Sequence, residues 1–189
     1  FPNWHICPSC GTMYHIESST PGRLKCQHCN SKSTLNQTRF IVACEDGDVM
    51  DFPWREWVFR KKTEDLNPSE KRARLEYKGG NSVNDISIKA YEASGKALAR
   101  RTLAGAFGSE QTPDGLKTKL SSNLLTGKNN RFTCPGYQAW LKTAKKNDCG
   151  RDIQPTLISA SNAYFAQVKT SIYIPTEIPD TGGTSLSDL

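Results

Sequence analysis

Two CxxC pairs, Cys7/Cys10 and Cys26/Cys29, stand fifteen residues apart near the start of this 189-residue chain. That spacing is the arrangement of a four-thiolate zinc site. It constrains the fold more than any other feature, because about forty residues cannot bury enough apolar surface to hold together unaided. Each pair lies on a short knuckle, Cys7-Pro8-Ser9-Cys10-Gly11 and Cys26-Gln27-His28-Cys29-Asn30. Gly11 and Asn30 both tolerate positive φ, so the chain can turn sharply and aim both sulfurs at one ion. Zinc with four protein ligands has no open position, which makes the metal structural. Disulfides or a reactive CxxC pair are the competing readings. His15 and His28 lie close by and read as surface residues beside a complete ligand set.

Charge divides the chain unevenly. Residues 1–78 hold 12 basic and 10 acidic side chains; residues 79–175 hold 13 and 6, a balance of +7; residues 176–189 hold three acids and no base. The middle-to-late segment is therefore the candidate polyanion-facing surface, with Lys89, Lys96, Arg100, Arg101, Lys117, Lys119, Lys128 and Arg131 as candidate phosphate contacts. An ordinary solvated face is the plain alternative. No apolar run is long enough to cross a membrane. A metal framework plus three further cysteines (Cys44, Cys134, Cys149) makes an awkward disulfide set, so a reducing compartment, the cytoplasm, is expected. Phe1 is not a start methionine, which suggests a piece of a longer protein.

The chain reads as α+β: an N-terminal zinc ribbon (1–37), a mixed, small-sheet basic body (38–175) and an acidic linker or tail (176–189). Residues 12–16 are strand-like. Residues 39–43 read as a buried strand ending at Cys44, followed by an acidic turn at 45–48. Pro53 opens a helix with Trp54, Trp57 and Val58 at i, i+3, i+4, a spacing that favours core over base-stacking. Residues 60–82 read as a polar loop, 85–89 as a strand, 97–107 as helix-compatible, 121–131 as loop, 154–166 as a short helix and 168–174 as a strand ending at Pro175.

Catalytic signatures are missing. Gly95-Lys96 and Gly127-Lys128 lack the rest of a phosphate-binding loop, and there is no dinucleotide fingerprint, H-E-x-x-H or G-x-S-x-G. Glu45, Asp46, Asp48 and Asp51 would suit a Mg²⁺-dependent nuclease, but acidic residues also collect in turns for backbone reasons. Cys44, Cys134 and Cys149, with Asp48 or another group as fourth ligand, read evenly as a second metal site or as buried thiols. Tyr137 and Trp140 beside Lys142 would suit stacking of unpaired bases, with core packing the favoured reading for Trp140.

Four stretches together resemble a known family: residues 1–11 (FPNWHICPSCG), 39–57 (RFIVACEDGDVMDFPWREW), 101–108 (RTLAGAFG) and 159–175 (SASNAYFAQVKTSIYIP). They look like the DrmB-type subunits of the DISARM anti-phage system, a helicase-associated zinc-binding group. The resemblance implies a non-catalytic part of a larger subunit, with zinc on Cys7, Cys10, Cys26 and Cys29. It also implies pairing with a superfamily 2 helicase of the DrmA type and engagement of free-ended or unpaired DNA. A protein-docking scaffold that never touches DNA is the alternative. Two departures matter. Asp48 stands where that family often has histidine, and Ala90 and Ala93 stand where it often has a CxxC pair. A second zinc built on that pair would have lost half its ligands, leaving Cys134 and Cys149 as buried thiols.

Overall fold

The computed structural model describes residues 1–17, 24–29, 33–113, 115–127, 130–136 and 149–160. The proposed strand at 168–174 and the acidic tail at 176–189 lie outside them. Short strands dominate, and all their pairings are antiparallel. The α+β expectation holds.

The first knuckle is the loop of a hairpin. β1 (Trp4–Ile6) pairs with β2 (Thr12–His15), and the Cys7 N–H donates to the Thr12 carbonyl at 2.9 Å to close it. β3 (Asn36–Gln37) returns from the second knuckle to flank β1. β4 (Phe40–Cys44) and β5 (Val49–Asp51) then form a second hairpin around the acidic turn. α1 (Trp54–Phe59) follows Pro53 and stops at Arg60, whose left-handed φ of 56° ends the helix.

Residues 60–82 are not the polar loop expected from their composition. They contain α2 (Pro68–Arg72), opened by a reciprocal cap between Asn67 and Glu70, and β6 (Arg74–Lys78). β6 is an interior strand: β2 pairs with one edge and β7 (Ser87–Tyr91) with the other. Leu75 faces the core while Arg74, Glu76 and Lys78 alternate with it, so a charged composition conceals a period-two pattern. The helix-compatible stretch from residue 97 is instead β8 (Ala97–Thr102), paired with β7 through a hairpin at Gly95. Alanine, leucine and arginine favour helices, but sheet pairing overrides that weak preference.

The resulting sheet has six strands in the order β3-β1-β2-β6-β7-β8. β9 (Ser109–Thr112) and β10 (Gly115–Thr118) form a small hairpin, leading into α3 (Lys119–Asn123). β11 (Ile153–Leu157) occupies the start of the expected 154–166 helix and pairs with β4, giving a three-stranded sheet β11-β4-β5. Pro155 would be tolerated in the first turn of that helix and equally on an edge strand, and the pairing with β4 decides for the strand.

One core joins these parts. Phe52, Trp54 and Trp57 are fully buried with Val42, Leu75, Ile88, Leu103, Leu120, Leu124 and Ile153. Phe52 and Trp54 have ring centroids 4.4 Å apart, and Trp57 Nε1 donates to the Thr102 carbonyl at 3.0 Å. Trp54 and Trp57 are core residues, as their spacing suggested. A second, smaller cluster of Cys7, Cys26 and Leu35, flanked by Tyr14, Ile16 and Leu24, lies in the ribbon.

The ribbon is stitched to the body by backbone. The Tyr77 N–H donates to the Gly11 carbonyl at 2.8 Å, and a Cβ on Gly11 would sit 2.2 Å from the Tyr77 carbonyl oxygen. Gly11 also has φ of +72°, so no other residue fits without moving β6. Gly11→Ala should therefore cost more than the roughly 1–2 kcal/mol of a left-handed alanine alone. Gly95→Ala, with φ of +86° but open space around it, should cost only that amount. Denaturant melts of the two variants check the ordering.

Candidate functional site

Among the described residues, two groups of side chains could each hold a metal ion. The first is Cys7, Cys10, Cys26 and Cys29, with ligand sulfurs all within 4.8 Å of one another. Cys7 and Cys29 sulfurs are 3.6 Å apart, and Cys10 and Cys26 sulfurs 3.7 Å. Four sulfurs about 2.3 Å from a tetrahedral ion would stand ~3.8 Å from one another, so the cage has the right size.

Surrounding donors favour thiolates. The Tyr14 hydroxyl lies 3.2 Å from Cys26 Sγ and accepts from the Gln27 N–H at 3.1 Å. The His28 N–H points at Cys26 Sγ at 3.4 Å. Burial of Cys26 resists ionisation, but Tyr14 and the N–H groups of Cys29 and His28 outweigh it and lower the thiol to about 6. Burial, with the Cys26 hydrogen bond, pushes Tyr14 up to about 12, so Tyr14 stays a donor. Thr12, itself buried, holds Cys10 Sγ at 3.2 Å. The histidines are placed elsewhere: the His15 ring packs edge-on against Trp4 at 5.3 Å, and the His28 residue is exposed.

The second group is Cys44, Asp48, Cys134 and Cys149, again within 4.8 Å of one another. It needs neither Ala90 nor Ala93. Ala90 is a fully buried core residue of β7, and its loss as a ligand is irrelevant because Cys44 and Asp48 complete the set. The expectation that Cys134 and Cys149 are left over thus gives way to a four-membered cluster. Burial, first among several causes, pushes the Cys134 thiol up to about 12 when no metal is bound.

Three of the four acids considered for a nuclease have other partners. Asp48 joins the cysteines, Asp46 pairs with Arg151 at 3.5 Å, and Asp51 accepts the Asn3 N–H at 2.9 Å. Burial raises the Asp51 carboxyl above its ordinary range against the pull of that hydrogen bond.

The candidate phosphate contacts are likewise divided. Strand pairing lines up Glu76, Lys89 and Arg100 across β6, β7 and β8 on one face of the sheet. Arg100 is exposed, and Lys96 is exposed in the hairpin turn. Arg101 points to the opposite face. Its guanidinium stacks on Trp57, 3.3 Å from the ring centroid, and donates to the carbonyls of Trp57, Asn123 and Leu124. Burial, and secondarily Arg60, lowers it to about 10, so it remains charged at neutral pH. Arg131 is ion-paired with Asp152. Lys117 sits opposite Glu110 on the β9–β10 hairpin and Lys119 opens α3. Lys128, Tyr137, Trp140 and Lys142 lie outside the described residues.

Folding also gathers cations that sequence distance kept apart. A cleft of about 840 Å³ is lined by Arg60, Lys61, Lys62 and Arg131, with Glu64 and Asp65 on its wall. Lys61 is held at 2.7 Å by Glu70, whose carboxyl is lowered by Lys61 and the Asn67 N–H despite partial desolvation. The basic run Arg60-Lys61-Lys62 was the available signal.

Comparison with known proteins places the chain. Residues 1–165 match the family described as Domain of unknown function (DUF8724), and the chain belongs to that family. A DISARM protein DrmB of Bacillus paralicheniformis is 25% identical over 183 residues, covering 93% of this chain. The chain spans only 28% of that protein's length. No described helix is long and apolar enough to cross a membrane.

Three variants test this assignment of roles. Tyr14→Phe should weaken metal retention by the ribbon by about tenfold or more, as loss of a ligand's hydrogen-bond partner usually does, measured by chelator competition. Arg101→Ala should destabilise the fold by about 3 kcal/mol, because it removes the stack on Trp57 and strands carbonyls. Its neighbour Arg100→Ala should change stability by less than about 0.5 kcal/mol in the same melts.

Proposed function

We propose that this chain is the zinc-binding, non-catalytic part of a DISARM-type phage-defence subunit, and that it helps the complex grip or sense DNA. The observation that carries the proposal is similarity to a DISARM protein over 93% of the chain, combined with an intact four-cysteine cage. Zinc is the metal proposed for Cys7, Cys10, Cys26 and Cys29, since four thiolates at these separations suit its size and softness. Its role is to hold the knuckles in shape, not to supply chemistry.

The resemblance of the sequence to DrmB-type subunits supports two further elements: a superfamily 2 helicase of the DrmA type as partner, and free-ended or unpaired DNA as ligand. Lys89, Arg100 and Lys96 supply the proposed backbone contacts, because they share the β7–β8 hairpin and Lys89 and Arg100 face the same way. Arg101 is better understood as the prop beneath this hairpin, which keeps it rigid from the inside. A grip made through phosphates carries little sequence preference and weakens steeply with salt.

The test uses the full-length protein with its helicase partner and measures DNA affinity against salt. Replacing Lys89, Lys96 and Arg100 together by alanine should reduce the slope of log affinity against log salt by up to about three. An unchanged slope with unchanged partner binding would transfer the role to a docking scaffold that holds the helicase without touching DNA.

A further inference from the structure

A cage of three sulfurs and one carboxylate closes one end of the three-stranded sheet. Cys44 ends β4 and Asp48 immediately precedes β5, so the tight turn between the strands brings both to one point. The Cys44 N–H donates to the Asp48 carbonyl at 3.0 Å, and the Gly47 N–H to the Cys44 carbonyl at 3.1 Å. From the other side come Cys134 and Cys149. The Cys134 N–H donates to the Arg151 carbonyl at 2.8 Å, and the Gly150 N–H to the Cys134 carbonyl at 3.1 Å. Backbone bonds thus hold Cys44, Asp48 and Cys134 directly, and tie the neighbour of Cys149, Gly150, to Cys134.

The separations match a tetrahedral ion. Cys44 and Cys149 sulfurs are 3.9 Å apart, while Asp48 Oδ2 is 3.8 Å from Cys44 Sγ and 3.6 Å from Cys134 Sγ. Bonds of about 2.3 Å to sulfur and about 2.0 Å to oxygen would place sulfurs ~3.8 Å apart and sulfur and oxygen ~3.5 Å apart. The local chain also repeats the build of the ribbon knuckles. Gly136 and Gly150 have φ of +70° and +67°, beside Gly11 at +72°, and the Gly136 N–H points at Cys134 Sγ at 3.4 Å. Beside the cage, Asp46 lies 3.3 Å from Cys149 Sγ and pairs with Arg151 at 3.5 Å, which places a cation next to Cys149.

Burial gives the arrangement its purpose. Asp48 is 1% exposed and Cys134 2% exposed. Cys44 and Cys149 are half-buried beside them, so the cluster keeps a path to solvent for an ion. Its buried carboxylate and thiol favour a cation that can bind both. We propose that Cys44, Asp48, Cys134 and Cys149 form a second zinc site, a three-thiolate, one-carboxylate centre. Binding releases three thiol protons to solvent and leaves a cluster with a net charge of about −2, the same as a four-thiolate centre. The ion clamps the β4–β5 turn to the chain entering β11, so it holds the smaller sheet as the first ion holds the ribbon. The softness of three sulfurs selects zinc over magnesium or calcium, which prefer oxygen.

The experiment counts metal in the full chain, purified under reducing conditions, by elemental analysis and native mass spectrometry. Wild type should lose one zinc on Cys7→Ser/Cys10→Ser and a different one on Cys44→Ser/Cys134→Ser. Because the second double variant could unfold locally, Asp48 provides the sharper probe. Asp48→Asn should weaken retention of one ion by about tenfold or more in chelator competition, and Asp48→Cys should restore it. In the cobalt-substituted protein, Asp48→Cys should also increase the sulfur-to-cobalt charge-transfer absorbance by one thiolate. Equal metal counts in wild type and Cys44→Ser/Cys134→Ser, or an Asp48→Asn variant that holds metal like wild type, would overturn the site. A Cys44–Cys149 disulfide in place of metal in the reduced preparation would do the same.

Discussion

The hydrogen bond between the Gly11 carbonyl and the Tyr77 N–H makes the metal knuckle part of the sheet. It continues the β2–β6 ladder, where Thr12 opposes Glu76 and Met13 opposes Leu75, past the end of the strand. Without a side chain at Gly11 the two backbones can touch; with one they cannot. An ion at the first four cysteines is therefore coupled to β6, and through β6 to β7 and β8. Loss of the ion should be felt in strands whose residues never approach it. Small metal modules usually depend on the ion alone for stability; here the ribbon also borrows the core of its neighbour, through Trp4 and Met13.

Strand geometry decides what the basic residues can do. In a helix, Arg100 and Arg101 would lie about 100° apart around the axis, and both could reach solvent. In β8 they point to opposite faces, one to solvent and one to Trp57 and the carbonyls that end α3. The formal charge of the segment therefore overstates its power to bind a polyanion. Arg101 is held under β8 by carbonyls and Arg131 is paired with Asp152. The cations of the segment that share one sheet face and its hairpin turn are a smaller set, Lys89, Lys96 and Arg100. Charge on a paired strand costs less entropy to use than the same charge on a loop.

Local rules revealed part of this fold and hid the rest for definable reasons. The knuckles, the strand ending at Cys44, the turn at Gly47 and the helix carrying Trp54 and Trp57 all follow from residue type and spacing. β6 and β8 did not, because their interior faces are short and carry charge: Leu75 stands between Arg74 and Glu76, and Ala99 between Leu98 and Arg100. Only the register with β7 reveals which side is buried. Pro155 could open a helix or sit on an edge strand, so only the pairing of β11 with β4 decided against a helix at 154–166. In the candidate sites, four ligands close in sequence were legible. The cluster of Cys44, Asp48, Cys134 and Cys149 spans more than a hundred positions, so residue types could suggest it but only the β4–β11 pairing could assemble it.

The two cages sit where the chain has least else to hold it. The first supports a ribbon whose own apolar cluster is built around two of its cysteines. The second lies beyond the ends of β4 and β11, where Ile153 opposite Cys44 is the last core pair before the turn. Strand ends fray unless something ties them, and hydrogen bonds open most readily where apolar packing stops. A ligand set at each such end converts a weak point into a crosslink without enlarging the core. On that logic, an ion at either cluster would act as a crosslink between strand ends rather than as an ornament of the aromatic core.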